Sequence, residues 1–233
     1  MGEVEGTNIT WNYEVSRKAL RFEGAGALPD FLSSLDTSAL NEGIGHDEWM
    51  KIVPWGEYID EIEFIEGEEI TATGPAMFAW TKNLKAVLLP KVQIVGNGTF
   101  YLCKNLERVY MPSVVFIGNG AFERCEKLCS TEEKGSKLIF RELRHISACA
   151  FHGCKSITAV TVTRSNRVTS EGKVIQGSGS KLEYVGEYAF GECENLSRFR
   201  DGGRESKAYK HEMAFYKTQV TGAEESDDVN EQG

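Results

Sequence analysis

The chain has 233 residues and a formal net charge of −9, from 26 Lys and Arg against 35 Asp and Glu. That length allows one sizeable domain with its own core, and the apolar fraction of 41% is ordinary for a globular protein. The acidic balance, with no basic stripe interleaved with aromatics, argues against a nucleic-acid partner, because phosphates need clustered Lys and Arg. No stretch approaches the roughly 20 apolar residues of a membrane span.

The opening residues Met1 to Gly6 have neither the positive n-region nor the apolar h-region of a secretory signal, and position six lacks the Ser or Thr of a myristoylation site. Taken alone, this start points to a cytosolic protein. Ile9, Trp11, Tyr13 and Val15 alternate with polar residues, so residues 8–15 are expected to form a half-buried strand. Residues 19–23 can return as its hairpin partner. A β-hairpin carrying a Trp suits the capped end of a stacked-repeat domain, and residues 1–69 are read as this β-rich lead-in.

From residue 70 onward one pattern recurs. It reads Val95-Gly96-x-x-Thr99-Phe100-x-x-Cys103-x-x-Leu106, then Ile117-Gly118-x-x-Ala121-Phe122-x-x-Cys125-x-x-Leu128. It continues as Ile146-x-x-x-Ala150-Phe151-x-x-Cys154-x-x-Ile157 and Val185-Gly186-x-x-Ala189-Phe190-x-x-Cys193-x-x-Leu196, after a degenerate first copy at Gly74-x-x-Met77-Phe78-x-x-Thr81-x-x-Leu84. The Phe-to-Phe steps are 22 (78 to 100), 22 (100 to 122), 29 (122 to 151) and 39 (151 to 190). A unit of 22 lies within the leucine-rich-repeat range, and the longer steps carry insertions, placed at 129–142 and 163–181.

The flanks of the pattern repeat too. Apolar residues two apart, Val87 and Leu89 or Val109 and Met111, indicate a short strand with one face buried. A second apolar pair precedes each Gly position: Val92 and Val95, Val114 and Ile117, Leu143 and Ile146, Leu182 and Val185. A single unit cannot bury so many inward positions, so neighbours must stack. The expected core is a column of Phe78, Phe100, Phe122, Phe151 and Phe190 beside a column of Cys103, Cys125, Cys154 and Cys193. The Gly at 74, 96, 118 and 186 is expected to serve a tight turn where a side chain would obstruct the backbone, although Ser147 stands at that position in one unit.

The pattern resembles the BspA-like leucine-rich repeat family, whose units look like I-G-x-x-A-F-x-x-C-x-x-L-x-x-I-x-I-P. The likeness includes a lead-in similar to Ile9-Thr10-Trp11, Ala19-Leu20-Arg21-Phe22, the run from Gly24 to Phe31, and Pro54-Trp55, so that residues 7–199 are covered. The resemblance implies a leucine-rich-repeat solenoid, mostly β with short helices or turns and a parallel sheet on one face. It also implies cell-surface placement in bacteria and parasitic protists, and adhesion to a host or matrix protein. Residues 70–200 form the repeats in this reading, residues 201–221 a worn C-terminal cap around Ala214-Phe215, and residues 222–233 a disordered acidic tail.

Candidate chemistry is sparse. Stacked Cys residues behave as small apolar side chains, and free thiols are expected, although adjacent rungs about 5 Å apart leave a disulfide geometrically open. The cluster His145-x-x-x-Cys149-x-x-His152-x-Cys154 carries metal-type ligands, but Cys154 is already assigned inward and His152 should point elsewhere, so no metal, cofactor or catalytic residue is assigned. Gly177-Ser178-Gly179-Ser180-Lys181 lacks phosphate-loop spacing. The sequons at Asn8, Asn97 and Asn195 read as coincidence. What remains is a surface: Lys85, Leu88, Glu107, Arg108, Tyr110, Thr158, Thr161, Arg198 and Arg200 should face away from the core, with Ala86, Ala159 and Ser197 among them. Tyr and Arg are frequent interface anchors, so Arg108 and Tyr110 are the first candidates for holding a protein partner. The expected protein is a monomeric, non-catalytic binding module at the cell surface. An intracellular scaffold is the alternative, and an enzyme with an unrecognised site is the third reading.

Overall fold

The computed structural model describes residues 1–31, 45–131, 137–163, 167–168, 174–175, 179–202 and 206–220. The expected acidic tail and parts of both expected insertions lie outside these residues. The chain winds as a solenoid with parallel sheets on two sides. The first sheet runs in the order Gly2–Glu3, Thr10–Glu14, Ala19–Glu23, Phe64–Glu66, Ala86–Leu88, Arg108–Tyr110. The second runs Gly26–Ala27, Ile70–Ala72, Ile94–Val95, Phe116–Ile117, His145–Ile146, Tyr184–Val185, Tyr209–Lys210, parallel throughout. A third sheet of Leu138–Phe140, Ala159–Val162 and Arg198–Arg200 continues the side of the first.

The lead-in hairpin pairs Thr10–Glu14 with Ala19–Glu23 antiparallel, and Ala19–Glu23 then pairs in parallel with Phe64–Glu66. The hairpin thereby joins the first coil edge to edge, and the antiparallel pairs of the first sheet lie at that end. Val15 departs from the expected alternation. It is 72% exposed, because the chain has already entered the turn that Lys18 closes with φ 51°. A short helix, His46–Ile52, and a 3-10 turn, Gly56–Tyr58, occupy the rest of the lead-in, where alternation gave no signal. They exist to deliver Trp49 and Trp55 to the core, both fully buried.

The interior is an aromatic column. Phe78 and Phe100 have ring centroids 5.5 Å apart, Phe100 and Phe122 5.2 Å, Phe122 and Phe151 5.2 Å, and Phe151 and Phe190 5.1 Å. Trp55 extends the column at one end, 5.6 Å from Phe78, and Phe215 at the other, 5.6 Å from Phe190. The rings become more parallel along the stack, from 29° at Trp55 to 1° at Phe215, as coils of one kind replace the lead-in. Each Phe is held by its own backbone: the N–H of Phe78, Phe100, Phe122, Phe151 and Phe190 donates to the next coil, at Thr99, Ala121, Ala150, Ala189 and Ala214.

Left-handed residues two positions either side of Phe make that geometry. Trp80, Leu102, Arg124, Glu192 and Lys217 follow it with φ of 55–61°, and Ala76, Cys149 and Tyr188 precede it with φ of 49–56°. Such a conformation costs a non-glycine residue roughly 1–2 kcal/mol, so the regular coil-to-coil hydrogen bonds must offset it. Gly120 and Gly153 occupy equivalent places without that cost.

The obstruction expected at the repeated Gly comes from the neighbouring coil. A Cβ on Gly118 would sit 2.6–2.8 Å from Asn97 and the Gly96 backbone of the preceding coil, and one on Gly186 would sit 2.6–2.8 Å from Ala148 and Ser147. These glycines are required by the close approach of neighbouring coils.

Both insertions leave the interior intact. The chain reaches Ser130 in parallel register with Arg108, departs, and returns at Lys137 so that Leu138, Ile139 and Phe140 pair with Val160, Thr161 and Val162. Thr131 clamps the neck: its N–H donates to Lys137 O, and its hydroxyl bridges the Ile139 backbone. The inserted segment is therefore shorter than 129–142, and Leu138, Phe140 and Leu143 belong to the core. The second insertion starts past Val162 and contains an antiparallel pair, Arg167–Val168 with Val174–Ile175.

The last coil differs inside. Where Val185 lies in the preceding coil, its strand partner is Lys210, whose ammonium meets the buried Asp201 carboxylate at 2.7 Å. Ser206 Oγ donates to the same oxygen. Phe199 fills the space beside this pair, edge-on to Phe190 and Phe215.

Candidate protein-binding surface

The outer face of the first sheet follows from strand alternation. Val87 and Val109 point inward, 2% exposed each, so their neighbours point out. Leu88 is 38% exposed and Tyr110 41% exposed, side by side in register, and Ala86 pairs with Arg108 in the same way. Lys85, Arg108, Thr158, Ser197, Arg198 and Arg200 are exposed, while Ala86, Glu107 and Thr161 are half-exposed. Ala159 is the exception. It was expected on the outer face but is buried at 4%, between strands that carry longer side chains at its register.

These residues do not form one surface. The insertion that leaves at Ser130 cuts the sheet between Arg108–Tyr110 and Leu138–Phe140, so the expected continuous face is two patches. Lys85, Leu88, Glu107, Arg108 and Tyr110 make one. Thr158, Thr161, Arg198 and Arg200 make the other, with exposed Lys137 at its far strand.

Their electrostatics differ. On the first sheet the cations are interlocked with carboxylates: Lys18 and Lys85 both bind Glu63, and Arg17 and Arg21 both bind Glu66, at 2.6 and 3.0 Å. The hydrogen bonds of Lys18 and Lys85 hold the Glu63 carboxyl below its usual range. Partial burial pushes the Glu66 carboxyl up, but Arg17 and Arg21 outweigh it and leave it lowered. On the third sheet Lys137, Arg198 and Arg200 form no ion pair among the described residues.

The Cys column has a hydrogen-bonding role that the spacing did not reveal. Cys103 Sγ donates to Phe78 O at 3.1 Å, Cys125 to Phe100 O at 3.2 Å, Cys154 to Phe122 O at 3.0 Å and Cys193 to Phe151 O at 3.1 Å. A thiol is small and apolar enough for the core, yet satisfies the carbonyl of the preceding coil. Burial pushes all four thiols up, Cys193 to about 12. All six cysteines are free, and Cys129 and Cys149 are partly exposed.

The side chains of Asn83, Asn105, Asn195 and Gln219 form a parallel series, each donating to a carbonyl of the previous coil at 2.6–2.8 Å. That use accounts for Asn195 structurally.

The suspected metal cluster is dispersed. His145 lies flat between Phe116 and Tyr184, 4.9 and 4.6 Å between ring centroids, and burial lowers its basicity against the opposing pull of Glu183. His152 meets Tyr188 edge-on, and Cys154 faces Phe122. Among the described residues no group of three or more His, Cys, Asp and Glu is placed to hold a metal ion. No helix among them is long and apolar enough to cross a membrane. The rings of Phe116, His145, Tyr184 and Tyr209 form a stripe on the outer face of the second sheet, continued by Ile94. Sequence reasoning missed it, although all five residues precede the inward residue of their strands and line up once the repeats are aligned.

The chain belongs to the family described as the BspA type leucine-rich repeat region, which matches in six copies over residues 71–172 and 132–231. Among solved structures it is similar to a leucine-rich repeat protein of T. pallidum, at 16% identity over 86% of this chain and 82% of that one, with a TM-score of 0.49. It is also similar to a leucine-rich repeat protein from Eubacterium ventriosum, at 13% identity over 99% and 97%, with a TM-score of 0.37. A third is a leucine rich cell surface protein from Faecalibacterium prausnitzii, at 12% identity over 88% and 77%, with a TM-score of 0.26. No curated protein matches significantly.

Proposed function

We propose that this protein is a non-catalytic binding module that holds another protein on the outer face of its first sheet, in adhesion or recognition at a cell surface. The observation that carries the reading is the pairing of exposed Leu88 with Tyr110 beside Arg108 on a hydrogen-bonded parallel sheet. A flat, pre-organised face with an aromatic and an Arg costs little ordering on binding. The surface placement comes from the family resemblance.

One observation favours an intracellular scaffold instead. Six free cysteines, two of them partly exposed, suit a reducing compartment better than an oxidising one. Antibody labelling of intact cells separates the two locations, since it stains an exported protein and misses an internal one.

The binding claim is tested by a pull-down with the purified protein and its Arg108→Ala/Tyr110→Ala variant. The variant is expected to fold normally and to lose partner affinity by about tenfold or more. Unchanged capture by a folded variant would remove this patch from the mechanism.

A further inference from the structure

The dipeptide Asn-Gly occurs twice in the chain, at Asn97-Gly98 and Asn119-Gly120, and the two pairs stand at the same place in consecutive coils. Asparagine is among the residues prone to slow chemical change. A glycine after it makes that change easiest: the Gly main-chain nitrogen can attack the Asn Cγ, and no side chain obstructs the approach.

Stacking keeps both reacting groups apart. The Gly98 N–H donates to Asn119 O at 2.8 Å and the Gly120 N–H to Ala148 O at 3.0 Å, so each nitrogen is engaged with the next coil. The side-chain amides are tied as well. Asn97 Oδ1 accepts from the Asn119 N–H at 2.9 Å, and Asn119 Oδ1 accepts from the Ala148 N–H at 3.1 Å. Both asparagines are exposed, so these bonds, and not exclusion of water, hold the side chains in place. Each clamp is made by the following coil alone. The fit at Asn97 is close, since a Cβ added to Gly118 would sit 2.6 Å from Asn97 Oδ1.

We propose that Asn97 and Asn119 are self-modification sites that coil stacking keeps shut, so that separation of these coils is recorded as an irreversible change of side-chain amide to acid. When the coil carrying Asn119 or Ala148 lifts away, both hydrogen bonds of a clamp are lost together and Asn Cγ can turn onto the Gly nitrogen. A bond forms between Cγ and that nitrogen, the Cγ–Nδ2 bond breaks, and Nδ2 leaves as ammonia with the proton that the Gly nitrogen gives up. Water then opens the resulting five-membered imide at one of its two carbonyls. Attack at the side-chain carbonyl gives Asp, and attack at the main-chain carbonyl gives isoaspartate. Asp keeps an oxygen that can accept from the following coil. Isoaspartate lengthens the main chain by one carbon, at a contact where Gly118 leaves no room for one.

The test incubates the full chain at neutral pH in native buffer and in guanidinium chloride, beside a synthetic peptide spanning Val95 to Tyr101. Mass spectrometry of proteolytic fragments then separates amide, Asp and isoaspartate at each site. Conversion at Asn97 and Asn119 is expected to be about tenfold or more slower in the folded chain than in the unfolded one, because it must wait for a local opening. The unfolded rate at Asn97 should match that of the peptide. Asn83, Asn105 and Asn195, each followed by Leu, should keep their amides in both conditions. Gly118→Ala, which crowds Asn97 Oδ1, should speed conversion at Asn97 without denaturant.

Equal rates in the folded and unfolded chain overturn the inference, and so does an unfolded chain that keeps both amides. A folded Gly118→Ala variant that converts no faster at Asn97 than the wild type overturns the assignment of the clamp. If that variant does not fold, the comparison of folded and unfolded wild type still decides.

Discussion

Phe122→Ala removes a ring from the middle of the column. Phe122 is 1% exposed and stacks on Phe100 and Phe151, each at 5.2 Å and within 12° of parallel. Burial of its area and the cavity left behind account for about 3–5 kcal/mol. The two lost ring contacts add about 0.5–1.5 kcal/mol each at most, part of which the truncation figure already includes. Against a whole-domain stability of about 5–15 kcal/mol the loss is severe. In a chain of this length each kcal/mol moves the melting temperature by about 2–4 °C, so the expected fall is about 6–20 °C.

Phe215→Ala supplies the comparison, because that ring is half-buried and ends the column, with Phe190 and Phe199 as its aromatic neighbours. It should cost about half as much or less. Thermal melts and urea titrations of both variants measure the difference. A Phe122→Ala shift of only a degree or two, or one equal to that of Phe215→Ala, would refute the account of a continuous column whose interior rings share their energy.

The buried thiols predict alkaline sensitivity. Unfolded cysteines ionise near 8.5, whereas burial pushes the four core thiols up, Cys193 to about 12, and keeps them protonated well past that pH. Above about pH 8.5 the unfolded chain releases protons that the folded chain retains. Stability, fully present below that pH, should then fall by about 1.4 kcal/mol per pH unit for each thiol. Urea titrations between about pH 8 and 10 should show the slope, and Cys193→Ala should reduce it; a flat profile would count against buried thiols. Gly118→Ala should destabilise by about 1–3 kcal/mol, since its Cβ would meet the preceding coil's backbone, and a neutral result would show that the coils can separate.

The repeat was legible because 22-residue steps bring like residues to like places, and a column of Phe survives insertions that add surface only. Trp55 belongs to the same column, yet it lies in a lead-in without the flanking Gly, Ala and Cys that identify the others. The strand at Ala19–Glu23 was legible from its apolar alternation, whereas the helix His46–Ile52 was too short to show a period. Charge is harder to read. Nothing in the spacing indicates that Lys85 is tied to Glu63 while Arg198 has no such partner among the described residues, because these pairs form across coils. The split of the outer sheet was equally hidden: an insertion length says that a loop exists, not that the chain leaves the sheet after a single bridge at Ser130.

The two ends of the solenoid are finished differently, and this sets the order in which it should come apart. At the N-terminal end an antiparallel hairpin and two buried tryptophans lock the first coil, so opening there requires several elements to fail together. At the far end of the described residues the coil contains an Asp201–Lys210 pair in place of aliphatic side chains, and its Phe215 ring is half-buried. Since each coil leans only on its neighbours, a pulling force or a denaturant should peel this molecule from the Phe215 side inward, one turn at a time.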